Sequence, residues 1–179
     1  MRVSMRRHGK MAILHGIVRL MPASMAKVFG GSRHDIEQAG AICYRRAASG
    51  IEILLIGSRR NGRWGIPKGG IDTGESPWHA AAREAFEEVG ALGTCEVEPI
   101  AYFFHTKTRR RLPARVSVFM LEVGAMATSF PEKGQRASMW VTIDEACEYV
   151  WSDGLRDIIA GLTLSLEDRE ANLRRRYSR

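Results

Sequence analysis

Glu84, Glu87 and Glu88 stand at i, i+3 and i+4 of one stretch, a spacing that puts three carboxylates within an arc of about 100° if the stretch is helical. Such neighbours repel, at roughly 0.2–0.5 kcal/mol per like-charged pair. A hard divalent cation removes that penalty. Magnesium takes a few carboxylate oxygens and completes its shell with water and substrate phosphate, so the arrangement suits chemistry on phosphate groups. A solvated acidic helix face has the same signature, and the residues upstream decide between the two.

Upstream lies Pro67-Lys68-Gly69-Gly70-Ile71-Asp72-Thr73-Gly74-Glu75, a glycine-punctuated loop whose backbone can approach a ligand or metal closely. Ser76 then reads as an N-cap, Pro77 suits the first helical position, and Gly90 is the stop. On this helix Trp78, Ala82, Ala85, Phe86 and Val89 gather opposite the glutamates, so one face is expected to be buried and the other acidic.

Gly69, five residues, Glu75, seven residues, Arg83-Glu84, an apolar residue, any residue, Glu87-Glu88, any residue, Gly90 and a small apolar residue: this pattern resembles the Nudix box at every position. The resemblance implies magnesium or manganese as cofactor and hydrolysis of a diphosphate linkage in a nucleoside diphosphate joined to another group. It further implies that Glu84, Glu87, Glu88 and the Gly69 carbonyl hold metal, with Glu84 or Glu88 as the base that activates water. Arg83 would orient the carboxylates by ion pairing, and Glu75 would brace the loop against the helix.

The chain has 179 residues, one ordinary domain with extensions. No apolar run reaches the roughly 18 residues that a membrane span needs. Cys43, Cys95 and Cys147 are far apart and lack metal-ligand spacing, so they read as reduced thiols of a cytoplasmic protein. His79 and His105 likewise lack a ligand partner and default to structural roles. The net charge is +7, with 27 Lys and Arg against 20 Asp and Glu. Residues 1–34 hold seven of the bases and no acid, and residues 169–179 hold five Arg against Glu170. Removing both ends leaves 15 basic and 19 acidic residues, so the domain is mildly acidic and the basicity belongs to its termini. Residues 1–37 form a basic leader. Its first 33 residues suit an amphipathic helix at a membrane surface, an ordered docking segment, or a translated leader before a later start such as Met21 or Met25. Residues 38–166 are the expected domain and 167–179 a basic tail.

Within the domain, Ala39–Tyr44, Ile51–Ser58, Ile100–His105, Val116–Val123 and Met139–Val141 read as strands. Ile143–Val150 reads as a helix capped by Thr142, and Leu155, Ile158, Ile159, Leu162 and Leu166 recur at helical spacing beyond it. Strands on both sides of a helix, followed by a helix pair, imply an α/β fold with a mixed sheet covered on both faces. This agrees with the α/β/α sandwich implied by the resemblance, which covers Gln38 to Val150.

Cations flank the acidic helix: Arg59, Arg60, Arg63 and Lys68 before it, Arg109, Arg110 and Arg111 at a strand connection, and Arg136 in an irregular stretch. Cations beside a metal suit a polyanion, so these are the expected substrate-binding residues. The order of strands, Arg63-Trp64-Gly65-Ile66-Pro67-Lys68-Gly69 and Gln135-Arg136-Ala137-Ser138-Met139-Trp140 resembles the diphosphoinositol polyphosphate phosphohydrolases, whose members also cleave diadenosine polyphosphates. Lys68 and Gly74-Glu75 depart from the animal inositol enzymes. Trp64 to Asp72 also resembles RNA 5′-pyrophosphohydrolases, and a non-catalytic nucleotide-binding regulator is the third reading. The expected partner is thus a small polyphosphate. Nucleic acid is expected only as a capped or triphosphate RNA end, and the sequence carries no signal for oligomeric state.

Overall fold

The computed structural model describes residues 36–48, 50–107 and 112–162. The leader, the tail, Leu166, Arg109, Arg110 and Arg111 lie outside the described residues.

Period-two alternation in the central strands generates both cores. In β1 (Ile36–Ala47), Ala39, Ala41 and Cys43 face one side and Ile42 and Tyr44 the other. The same division runs through β2 (Gly50–Gly57), with Leu54 and Ile56 against Ile53 and Leu55. Helix α1 (Pro77–Val89) covers the first face through Ala80, Ala81, Ala85 and Val89. Small residues on both partners let the helix lie close to the sheet. Helix α2 (Ile143–Tyr149) and residues 153–162, helix α3, cover the second through Ala146, Leu155, Ile158, Ile159 and Leu162. The result is the expected α/β/α sandwich with a mixed sheet.

The remaining strands are β3 (Trp64–Gly65), β4 (Lys68–Gly70), β5 (Ala91–Cys95), β6 (Ala101–Lys107), β7 (Leu112–Met126) and β8 (Ser138–Thr142). They order as β3-β2-β1-β7-β5, with β4 on β1, β6 on β7 and β8 on β2. The β1–β7 pairing is parallel, from Ile36 opposite Ala114 to Tyr44 opposite Glu122. The other strand pairs are antiparallel. The expected strands are all present, β7 being longer at both ends than Val116–Val123. Three further strands are present: β4 in the stretch read as a glycine-rich loop, and β3 and β5 in stretches to which the sequence assigned no element. The Thr142 capping box on α2 is complete, its hydroxyl accepting from the Glu145 N–H and Glu145 accepting from the Thr142 N–H.

For the site, the decisive pairing is β4 on β1, with Gly69 opposite Ala39 and Lys68 opposite Gly40. It draws the glycine-rich stretch onto the sheet edge beside α1. Gly40 has to be glycine there, because a Cβ would stand 2.9 Å from that of Lys68 and 3.1 Å from the Pro67 carbonyl oxygen.

Candidate active site

Helix α1 begins and ends where the sequence implies, but not by the expected contacts throughout. Ser76 occupies the N-cap with extended backbone, yet its side chain makes no capping bond. Its hydroxyl lies 2.9 Å from His79 Nδ1 instead. Gly90 terminates the helix in the left-handed conformation, φ 72°, its N–H donating back to Ala85 and Phe86 carbonyls. A Cβ at Gly90 would stand 2.5 Å from Phe130, so this end is also a docking point for the connection between β7 and β8. That connection supplies donors for two helix-terminal carbonyls, Ala127 N–H to Gly90 and Glu132 N–H to Glu87.

Arg83 organises the acidic face. Its Nε and Nη2 grip Glu75 at 2.9 and 3.0 Å, Nη1 reaches Glu84 at 2.9 Å and Glu87 at 3.2 Å, and Nη2 also donates to the Gly70 carbonyl at 2.9 Å. One guanidinium thus links loop and helix through a two-point contact that only Arg can make. Hydrogen bonds from Arg83 hold the Glu75 carboxyl below its usual range, and Glu75 in turn raises Arg83. The Glu75 carboxylate also accepts from the Asp72 N–H, closing a turn whose Gly74 sits at φ 82°.

Gly69 lies directly against Glu84. An ideal Cβ at Gly69 would fall 2.0 Å from Glu84 Oε1, so glycine is what admits the carboxylate. Gly69→Ala is therefore expected to displace Glu84 and lower kcat by at least about 10-fold, while β4 pairing and the melting temperature are largely kept. Wild-type turnover in the folded variant would contradict a role for this contact.

Glu88 departs from the expected solvated face. It is 6% exposed, on the same stripe as Ala81 and Ala85. Arg136 Nη2 donates to Oε1, and the Lys68 N–H donates to Oε2 at 3.2 Å. Burial pushes Glu88 up to about 7, with the Arg136 charge and the Lys68 N–H drawing it back part of the way. Burial likewise raises Glu84, and Glu87 and Glu132 add to that shift by repulsion. A cation binding here needs these carboxylates ionised, so it competes with protons for them.

Glu132, in the irregular stretch 130–138, is a residue to which the sequence assigned no role. Its carboxylate receives Arg59 Nη1 at 3.1 Å and Arg136 Nε at 2.8 Å, and its charge is felt at Glu84. The signal available was only Glu132 at i−4 to Arg136 in an irregular stretch. The structure thus brings Arg59, Lys68 and Arg136 to the acidic face, where Arg136 meets the Glu88 and Glu132 carboxylates. The Arg63 guanidinium lies over the Trp151 ring, 4.9 Å from the centroid. Arg60 is exposed in the turn after β2.

Among the described residues, no three His, Cys, Asp or Glu side chains converge as a ready-made cation cage. The donor chemistry fits magnesium or manganese nonetheless: three carboxylates on adjoining turns, a glycine backbone in van der Waals contact with one of them, and oxygen donors throughout.

Residues 37–162 match the family model described as NUDIX domain. Nudix hydrolase 21, chloroplastic, from Arabidopsis thaliana is 32% identical over 124 residues, covering 67% of this chain and 62% of that protein. Diphosphoinositol polyphosphate phosphohydrolase 2 from Rattus norvegicus is 27% identical over 112 residues, covering 62% and 60%. The chain thus spans about three fifths of the length of these curated relatives. Among solved structures, a C. elegans Ap4A hydrolase binary complex superposes with a TM-score of 0.56 at 22% identity, covering 74% of this chain and 98% of that one. The NUDIX domain of Shewanella oneidensis NrtR complexed with ADP ribose gives 0.60 at 13%, covering 82% and 99%. At these identities the two structures speak to the fold alone. No helix among the described residues is long and apolar enough to cross a membrane.

Proposed function

The chain belongs to the NUDIX domain family, and from that premise we propose that it is a metal-dependent pyrophosphohydrolase acting on a highly phosphorylated small molecule, a diadenosine polyphosphate or a diphosphoinositol polyphosphate. The observation that carries this reading is the acidic face of α1, bound to the Gly69–Glu75 loop by Arg83 and bordered by Lys68, Arg59 and Arg136. Glu84, Glu87, Glu88 and the Gly69 carbonyl would hold magnesium or manganese, which supplies charge neutralisation at phosphate and an activated water. Residues 38–166 are the proposed catalytic unit, and the free thiols Cys43, Cys95 and Cys147 suit a reducing, cytoplasmic setting.

The chain's own groups divide the remaining work. Arg83 fixes the directions of the Glu84 and Glu87 carboxylates. Glu84 or Glu88 accepts the proton of the attacking water, and burial raises both carboxyls from their ordinary value. Lys68 and Arg59 meet phosphate oxygens, Arg59 exchanging Glu132 for substrate. Arg109, Arg110 and Arg111 are proposed from the sequence as further phosphate ligands, which would give each phosphate of a long chain a separate counter-charge.

On this reading diadenosine penta- or hexaphosphate, or a diphosphoinositol polyphosphate, is cleaved with higher kcat/KM than ADP-ribose or a nucleoside triphosphate. Replacing Arg109, Arg110 and Arg111 together by Ala raises KM for the polyphosphates more than for ADP-ribose. Steady-state kinetics over these substrates check both statements. ADP-ribose as the best substrate would overturn the assignment of substrate class.

A further inference from the structure

Two arginines reach the acidic face of α1 from outside it, and both end on one carboxylate. Glu132 receives Arg59 at 3.1 Å from the turn after β2 and Arg136 at 2.8 Å from one turn further along its own segment. The other end of the Arg136 guanidinium lies on Glu88. Glu132 is itself held in place, because its N–H donates to the Glu87 carbonyl at 2.9 Å and Ala127 N–H ties the same connection to Gly90 at 2.7 Å. Gln135 adds a second contact to Arg59 at 3.2 Å, and the Gly57 N–H donates to Ala137 at 2.8 Å. The segment 127–137 is therefore pinned to the C-terminal end of α1 and to β2, with Glu132 between the two pins.

We infer that Glu132 is a positioning residue for the metal-binding carboxylates: by clamping the Nε side of Arg136 it fixes the guanidinium that orients Glu88, and by offsetting the charge of Arg136 it keeps the acidic face attractive to a cation. Geometry supplies the first half. A guanidinium gripped on both edges has one orientation, and Arg136 is only 12% exposed, so it has little room to take another. Charge supplies the second. Glu132 offsets the charge of Arg136, and removing it leaves that guanidinium less compensated beside the place where a divalent cation has to bind.

The inference rests on the metal-site reading above, and its test separates the two. The full chain is titrated with Mn2+ and free Mn2+ is followed by electron paramagnetic resonance, without substrate, for the wild type, Glu132→Gln, Arg136→Ala and the double variant; melting temperatures are recorded alongside. Glu132→Gln is expected to weaken Mn2+ binding about 10-fold. In the Arg136→Ala background the same change is expected to cost less than about 2-fold, because Glu132 acts through Arg136. Glu132→Asp, which keeps the charge but shortens the reach, falls between wild type and Gln, and it replaces Gln in the cycle if that variant does not fold. Equal losses in both backgrounds would make Glu132 an independent ligand and overturn the inference, as would a lowered melting temperature with unchanged Mn2+ affinity. A wild type that does not bind Mn2+ overturns the metal reading itself.

Discussion

Glu87→Gln is expected to lower kcat at least about 100-fold in a protein that folds normally, and Glu88→Gln is expected to do the same with a stability cost added. Each change removes a formal charge from the proposed metal site without altering side-chain volume. Glu87 is the cleaner test: its side chain is 37% exposed and meets Arg83 at 3.2 Å, a contact worth under about 1 kcal/mol at such exposure. Glu88 differs because it is buried against Arg136 and the Lys68 N–H. Its neutral amide leaves a partly buried guanidinium short of charge, at roughly 1–3 kcal/mol. Turnover numbers and thermal melts on both variants check the pair. Near-wild-type kcat in both would remove the carboxylates of α1 from the chemistry.

The second large effect belongs to Arg83. Arg83→Ala removes the group shared by Glu75, Glu84, Glu87 and the Gly70 carbonyl, leaving three carboxylates to repel across the junction of loop and helix. A loss of about 1–3 kcal/mol in stability follows, together with a fall in kcat/KM of at least about 100-fold. Arg83→Lys separates the two consequences. A lysine restores a positive charge but lacks the planar fork that grips both Glu75 oxygens, so the melting temperature should recover in part while the rate stays within about 10-fold of the alanine variant. If Lys restores full activity, charge alone suffices and the fork geometry has no catalytic meaning.

The helix that carries the site was legible because its signals are local. Pro77 and Gly90 mark its ends, and the spacing of Glu84, Glu87 and Glu88 needs nothing beyond helical periodicity. The sandwich was legible for a related reason, since alternation along β1 and β2 already separates two apolar faces. What stayed hidden is set by contacts between distant segments. Glu88 looks solvated by periodicity alone, and becomes buried because Lys68 and Arg136, 20 residues before and 48 after it, close over it. Strands β3 and β4 are two and three residues long, too short for any period to register. Strand β5 carries Leu92, Gly93 and Thr94 largely exposed and has a register shift between Leu92 and Gly93. Gly93 is required there because a Cβ would stand 1.9 Å from the Glu122 carbonyl oxygen. Arg63 likewise makes a contact that spacing cannot show, its guanidinium lying over the ring of Trp151 from far along the chain.

The central claim is that the carboxylates of α1 work through a divalent cation to split a phosphoric anhydride. The most direct measurement incubates the wild-type chain with diadenosine hexaphosphate in 18O-water, with magnesium or with excess chelator, and weighs the products by mass spectrometry. The account predicts cleavage with one 18O incorporated into a product phosphate at millimolar magnesium, none with chelator, and only a modest difference in melting temperature between the two conditions. Full cleavage in chelator, with the chain free of metal, would contradict it.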